Sequence, residues 1–122
     1  MIIKGTRLKV ADNSGAKIAE CIGLYGGGVV RWAHAAGTIM VVIKSATPNA
    51  KVEKSQKHKA IIVRTKSTIR RNDGSYVTFG DNAVVLIDKK GEPIGSRVFG
   101  AVAREIRDSG YLKIASLANE VL

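Results

Sequence analysis

Residues Lys59 to Asp88 read KAIIVRTKSTIRRNDGSYVTFGDNAVVLID. Two apolar runs, Ala60-Ile61-Ile62-Val63 and Ala83-Val84-Val85-Leu86-Ile87, bracket a polar, basic middle. Both runs are short and rich in β-branched residues, so each suits a buried strand. Between them Asp73-Gly74 is a strong hairpin signal, because a type I′ turn needs positive φ at both central residues. Thr65 to Ile69 and Ser75 to Phe79 form the two expected arms. They and their flanks carry Arg64, Lys66, Arg70 and Arg71, with no acid before Asp73. The stretch therefore predicts two core strands joined by a basic ribbon, spanning about residues 64–79, that projects from the core. Eight residues at about 3.3 Å each would reach roughly 25 Å, and the charge points to an anionic target.

The tip admits two registers. A two-residue loop would set Arg71 opposite Tyr76 on one face of the hairpin. The guanidinium could then lie over the ring, a contact of about 0.5–1 kcal/mol at an exposed site. A larger loop that absorbs Asn72 and Ser75 would break this facing.

Outward from the ribbon, Thr6 to Val10 alternates as a short strand, and Asp12-Asn13-Ser14-Gly15 is dense turn chemistry. Ala16 to Leu24 returns from that turn. Its alternation slips between Ile18 and Cys21, which predicts a bulge. Tyr25-Gly26-Gly27-Gly28 reads as a flexible turn, since no Lys-Ser, Lys-Thr or helix start follows to make a phosphate cradle. Trp32, in Arg31-Trp32-Ala33-His34, reads as half-buried packing in preference to a base-stacking platform. Thr38 to Ile43 is a continuous apolar run and predicts a buried strand. Toward the C-terminus, Val102 to Ser109 changes to a helical period. Val102, Ala103 and Ile106 fall on one face and Gly110 is a natural stop. Lys113 to Ala118 is a short apolar tail of about one helical turn. Short strands followed by one or two small helices predict a mainly β chain, a small β-barrel with an α appendage. The barrel would occupy residues 1–100 and the helical part 101–122, within one domain.

Composition narrows the function. The chain has 122 residues and is 45% apolar, and twenty Lys and Arg face ten Asp and Glu, for a formal charge of +10. Nucleic acid is the default partner for such an excess. A membrane is not expected, since no stretch approaches about 18 apolar residues. The first residues lack the apolar core of a signal peptide. A lone cysteine, Cys21, has no internal disulfide partner, which fits a reducing compartment. Lys44, Lys51, Lys54, Lys57, Lys59, Arg64, Lys66, Arg70 and Arg71 make nine basic residues against one acid, Glu53. A block that one-sided repels itself unless a polyanion neutralises it. Lys44, Lys51, Lys54, Arg64, Lys66, Arg70 and Arg71 are accordingly the expected RNA contacts. Catalysis is not expected. Neither His34 nor His58 is brought to Cys21 by spacing, no carboxylates pair, and no zinc pattern or cofactor motif occurs.

With these residues in view, the chain resembles large-subunit ribosomal protein fourteen in its bacterial and plastid form. The resemblance rests on Ala60-Ile61-Ile62-Val63, Asp73-Gly74, Phe79, Asn82 and Val85-Leu86. It is joined by Val10-Ala11-Asp12-Asn13-Ser14-Gly15-Ala16, Val63-Arg64-Thr65-Lys66, Arg97-Val98-Phe99-Gly100 and Ala103-Arg104-Glu105. It extends over the whole chain. Departures fall in loops. Asn49-Ala50 stands where the family often has Gly-Gly, and Lys54-Ser55-Gln56 where it often has Lys-Gly-Asp. Asn72, Ala101 and Asn119 replace usual prolines.

The resemblance implies a five-stranded barrel with a projecting ribbon and small C-terminal helices. It implies a non-catalytic constituent of the large subunit, in a bacterial cytoplasmic or an organellar ribosome. The implied partners are large-subunit rRNA, ribosomal proteins three and nineteen of that subunit, small-subunit rRNA across intersubunit bridges, and the ribosome silencing factor. Ser96, Arg97, Lys113 and Ser116 match the family's bridge and silencing-factor surface. Arg97 and Lys113 lie next to Val98, Phe99 and Leu112, as suits the rim of a protein-docking surface. Arg97 could instead cap the following helix or pack on Phe99. The competing readings are a free-standing nucleic-acid-binding barrel, which would want more aromatics on one sheet face, and a cysteine-dependent enzyme.

Overall fold

The structure is a computed structural model and describes residues 2–25 and 32–122. The Gly26-Gly27-Gly28 turn and Arg31 lie outside the described residues. Five strands close a barrel: β1 (Arg7–Val10), β2 (Ala16–Leu24), β3 (Thr38–Ala46), β4 (Lys57–Arg64) and β7 (Ala83–Ile87). Two short strands, β5 (Ile69–Arg70) and β6 (Tyr76–Val77), lie between β4 and β7. The chain ends with β8 (Ala101–Val102), α1 (Arg104–Asp108), α2 (Leu112–Leu117) and β9 (Glu120–Val121). Neighbours in the barrel are antiparallel except β1 and β7, whose parallel pairing closes it through Lys9↔Ala83 and Val10↔Val84.

The strand patterns follow from which faces are covered. The barrel interior holds Leu8, Cys21, Ile39, Val41, Ile62 and Leu86 among its buried side chains. A second core lies outside the wall. There Ile61, Val63, Val85 and Ile87 meet Val98, Val102, Ile106 and Ile114. The strands β4 and β7 are thus buried on both faces, which is why their central residues are continuously apolar. Strand β3 differs from expectation. Ile39, Val41 and Ile43 are buried, but Met40 and Val42 are only half-buried. Among the described residues the second core includes no β3 side chain, so its apolar run is one-sided in use. The slip in β2 is present: the register shifts between Ile18 and Ala19, and again between Cys21 and Gly23. It turns Ala16, Ala19 and Cys21 into the core and leaves Ile18 and Ile22 half-buried.

The C-terminal part departs from the helical expectation for residues 101–122. Val102 is not helical. It pairs in parallel with Val121, and Ala101 with Glu120, so a two-stranded clip ties the end of the chain beneath the helices. Helix α1 starts only at Arg104 and stops at Gly110, whose φ is 93°. The Gly110 N–H donates to the Arg107 carbonyl and the Tyr111 N–H to the Ile106 carbonyl, each at 3.1 Å. That pair of bonds is a Schellman stop, which needs the left-handed residue that glycine supplies most cheaply.

Candidate nucleic-acid interface

The ribbon is shorter and less free than its sequence predicts. Only Ile69↔Val77 and Arg70↔Tyr76 pair. Below them the arms are held by side chains: Thr78 Oγ1 donates to the Lys66 carbonyl at 2.9 Å, and the Lys66 N–H to Asn82 Oδ1 at 2.8 Å. At the tip the two-residue register is wrong. The Arg71 N–H bonds the Ser75 carbonyl at 3.0 Å, and the Gly74 N–H bonds the Arg71 carbonyl at 3.1 Å. Asn72, Asp73 and Gly74 form a three-residue loop in which Gly74, at φ 88°, is left-handed and Asp73 is not. This is the turn-plus-bulge hairpin. Asp73 Oδ1 locks it by accepting from the Ser75 hydroxyl at 2.6 Å and the Ser75 N–H at 2.9 Å. Those two bonds hold the Asp73 carboxyl below its ordinary pKa.

The register decides where the arginines go. Arg70, not Arg71, faces Tyr76. Arg71 instead turns to α1, where its Nη2 lies 3.1 Å from Glu105 Oε1 with the side chain only 12% exposed. The ribbon is therefore strapped to α1. A cleft of about 410 Å3 separates the two, lined by Arg70, Arg71, Asp73, Arg104 and Glu105 among others. Arg64 is likewise turned inward. Its Nε meets Asp81 Oδ1 at 3.0 Å, and its Nη1 donates to the carbonyls of Phe99 (2.9 Å) and Ala101 (3.1 Å). A Cβ at Gly100 would collide with that guanidinium. The Val63-Arg64-Thr65-Lys66 and Arg97-Val98-Phe99-Gly100 motifs thus meet at one buried clamp.

The remaining cations of the basic block are open. Lys51, Lys54, Lys66 and Arg70 are exposed, with no salt bridge among the described residues. Lys44, also exposed, lies 3.6 Å from Glu20 Oε2. Lys51 and Lys54 ride a loop seated on the Asn13-Ser14-Gly15 turn. The Lys51 N–H donates to Ser14 and the Thr47 N–H to Gly15, each at 2.9 Å. Gly15 is left-handed at φ 98°, and a Cβ there would overlap Ala50. The same turn organises the opposite loop. Asn13 Oδ1 accepts from the Ser96 and Arg97 N–H groups at 2.8 and 3.1 Å. The buried Asp12 carboxylate is satisfied by Ser14 and by the Leu86 N–H.

The second predicted surface is assembled as well. The Val98 N–H approaches the Leu117 carbonyl at 3.4 Å, which places Ser96 and Arg97 beside the end of α2. Lys113 reaches Glu92 at 3.6 Å, and the Ser116 hydroxyl donates to the Lys113 carbonyl. Phe99 and Leu112 are exposed alongside. Arg97 makes no cap for α1, whose N-cap has no side-chain bond.

Sequence reading missed two things here. Arg104 joins the ribbon cleft from α1. Lys57 and Lys59, counted in the basic block but not among the expected contacts, gather with Lys89 on the outer barrel wall. Cys21 and His58 are not brought together. Cys21 is 1% exposed, and burial pushes its thiol above the ordinary pKa. Val41 stands between it and His58 on one rung of the ladder, a separation of about 10 Å over two strand spacings. Trp32 is 44% exposed, with its indole N–H bonded to His34 Nε2 at 2.9 Å.

A closed barrel that uses its buried polar groups to hold loops, and leaves lysines outward on those loops, defines a small basic ribonucleoprotein component. The chain matches the profile of the family Ribosomal protein L14p/L23e over residues 1–122 and belongs to that family. It is a structural, non-enzymatic constituent of the large ribosomal subunit, with ribosomal RNA and ribosomal proteins as its partners.

Proposed function

We propose that the chain grips large-subunit rRNA through Lys51, Lys54, Lys66 and Arg70, with Lys44 at the margin, while Arg64 and Arg71 hold the loops that present them. The observation that carries this is the division of the basic block. Two guanidiniums are bonded within the chain, and six cations, Lys51, Lys54, Lys57, Lys59, Lys66 and Arg70, stand exposed without a salt bridge among the described residues. RNA helices are met chiefly at phosphates and sugars, and outward cations on well-seated loops suit that. With about five phosphate contacts, log affinity for an isolated rRNA fragment falls against log salt with a slope of roughly −3 to −5. Replacing Lys51, Lys54, Lys66 and Arg70 by Gln should flatten that slope by about 3. An unchanged slope would remove these residues from the interface.

The face built by Ser96, Arg97, Lys113 and Ser116 is the candidate for intersubunit contact. The resemblance supports bridges to small-subunit rRNA, neighbours in ribosomal proteins three and nineteen, and docking of the silencing factor, in a bacterial or organellar ribosome. Arg97→Glu with Lys113→Glu should weaken capture of the silencing factor at least tenfold while rRNA binding persists. Full capture by the double variant would refute the assignment.

A further inference from the structure

Three lysines ring an apolar groove on the outer wall of the barrel. The ladder places Met40, Lys59 and Ile87 on one rung across β3, β4 and β7, and rung partners share a face. On β2 the partner of Met40 is Gly23, which offers no side chain to close that edge. Ile94 completes the floor, held by its N–H bond to the Leu86 carbonyl at 3.1 Å. Lys57 and Lys89 stand beside Lys59 at the rim. The groove holds about 430 Å3, within the range of roughly 300–1,000 Å3 for pockets that take a small organic group.

Its charge is one-sided. Lys57, Lys59 and Lys89 form no salt bridge among the described residues. Lys59 is held at 5.4 Å from the centre of the Tyr25 ring. The acid in the lining, Asp88, is turned to its own loop, where Oδ1 accepts from the Lys90 and Glu92 N–H groups at 2.8 and 3.0 Å. Burial keeps His58 below its ordinary pKa, so its ring is neutral at pH 7. Its Nε2 pairs with Gln56 Oε1 at 3.0 Å. An amide oxygen only accepts, so the proton sits on Nε2 and Nδ1 is an acceptor.

We propose that this groove takes one unstacked base of an RNA strand, with the flanking phosphates on Lys57, Lys59 and Lys89. The proposal rests on the RNA-binding reading above and deepens it. Lysines around the groove can meet the phosphates of a strand without reading its sequence, and in place of an aromatic platform the thioether of Met40 offers a surface that packs well against an aromatic base ring. An acidic amphipathic helix would need anchors repeated along a groove, whereas this floor is the single rung of Met40 and Ile87 with Ile94 beside it.

The test uses the full chain and two hairpin RNAs of equal charge. One carries a single bulged adenosine, the other an abasic residue at the same place. The adenosine hairpin should bind about twofold to tenfold more tightly, as a sulfur–aromatic contact would give. It alone should move the Met40 methyl resonance upfield in methionine-labelled protein. Met40→Gln, on the outer face of the wall, should erase the preference. Lys57→Gln with Lys89→Gln should weaken both RNAs alike. Equal, salt-dependent binding of both hairpins with an unmoved Met40 methyl would overturn the groove and leave the RNA-binding reading standing. Failure to bind either at low salt would overturn both. A Met40 methyl that moves instead with a Glu-rich amphipathic peptide would reassign the groove to a protein partner.

Discussion

At the scale of single residues, backbone geometry sets two loop positions apart. Asn49 and Ser55 adopt φ of 63° and 72°. They stand where the resembling family often carries glycine, the residue that reaches this region without penalty. Asn tolerates it through its short polar side chain, and Ser is less suited. Ser55 is nevertheless held there: its N–H donates to the Ile43 carbonyl at 2.7 Å, and Gln56 bridges back to Glu53. Ser55→Gly should therefore stabilise the chain. Relief of about 1–2 kcal/mol of left-handed strain exceeds the roughly 0.4–1 kcal/mol that glycine adds to unfolded-chain entropy. A urea midpoint that stays put or falls would show that Ser55 bears no strain. Arg64 shows the opposite limit of reading by residue type. It lies in a basic block and reads as a phosphate contact. Its three acceptors come from Asp81, Phe99 and Ala101, distant in sequence. Composition counts a charge, but only tertiary structure shows what already occupies it.

At the scale of elements, the apolar runs were legible because burial writes them directly. The strands β4 and β7 are covered on both sides and read as unbroken hydrophobic stretches. The ribbon was legible as a hairpin but not in its register. Asp-Gly serves both a two-residue I′ loop and a three-residue loop ending in left-handed glycine. The Asp73–Ser75 bonds favour the second, and the Asp-Gly pair by itself does not announce that. One residue of register then moved Arg71 from the Tyr76 side to Glu105. This contact strapping the ribbon to α1 has a measurable consequence. Glu105→Gln removes the charge that holds Arg71, whose Nε already lacks a partner. Leaving a mostly buried guanidinium poorly paired should cost about 1–3 kcal/mol locally. Hydrogen exchange at the Arg71 and Gly74 amides should accelerate roughly tenfold or more, while the Ile61, Ile62 and Val85 amides of the barrel keep their protection. Acceleration spread evenly over ribbon and barrel would mean that the strap is not a separate unit.

For the whole molecule, charge sets the terms on which the free chain folds. Its formal excess of +10 is only partly answered within the structure. Arg7, Lys9, Lys44, Arg64, Arg71 and Lys113 form the ion pairs among the described residues. Others, such as Lys51, Lys66 and Lys59, stand exposed on loop, ribbon and outer wall, so folding gathers like charges that the unfolded chain keeps apart. The barrel and its outer second core supply the opposing term. Interior and lid are continuous through β4 and β7, and side chains such as Ile62 and Ile106 are fully buried. Self-repulsion of this kind is screened by salt, since the Debye length contracts from about 30 Å at 0.01 M to about 10 Å at 0.1 M. The pairs made by Arg64 and Arg71 are mostly buried and resist that screening. Raising NaCl from 10 to 300 mM should therefore raise the melting temperature of the free chain. Each kcal/mol of relief corresponds to roughly 3–6 °C at this size. An rRNA fragment at low salt should raise it further, because neutralisation by bound phosphates adds to binding linkage. A melting temperature that falls with salt would mean that attractive pairs outweigh repulsion, and that the excess charge carries no penalty for RNA to relieve.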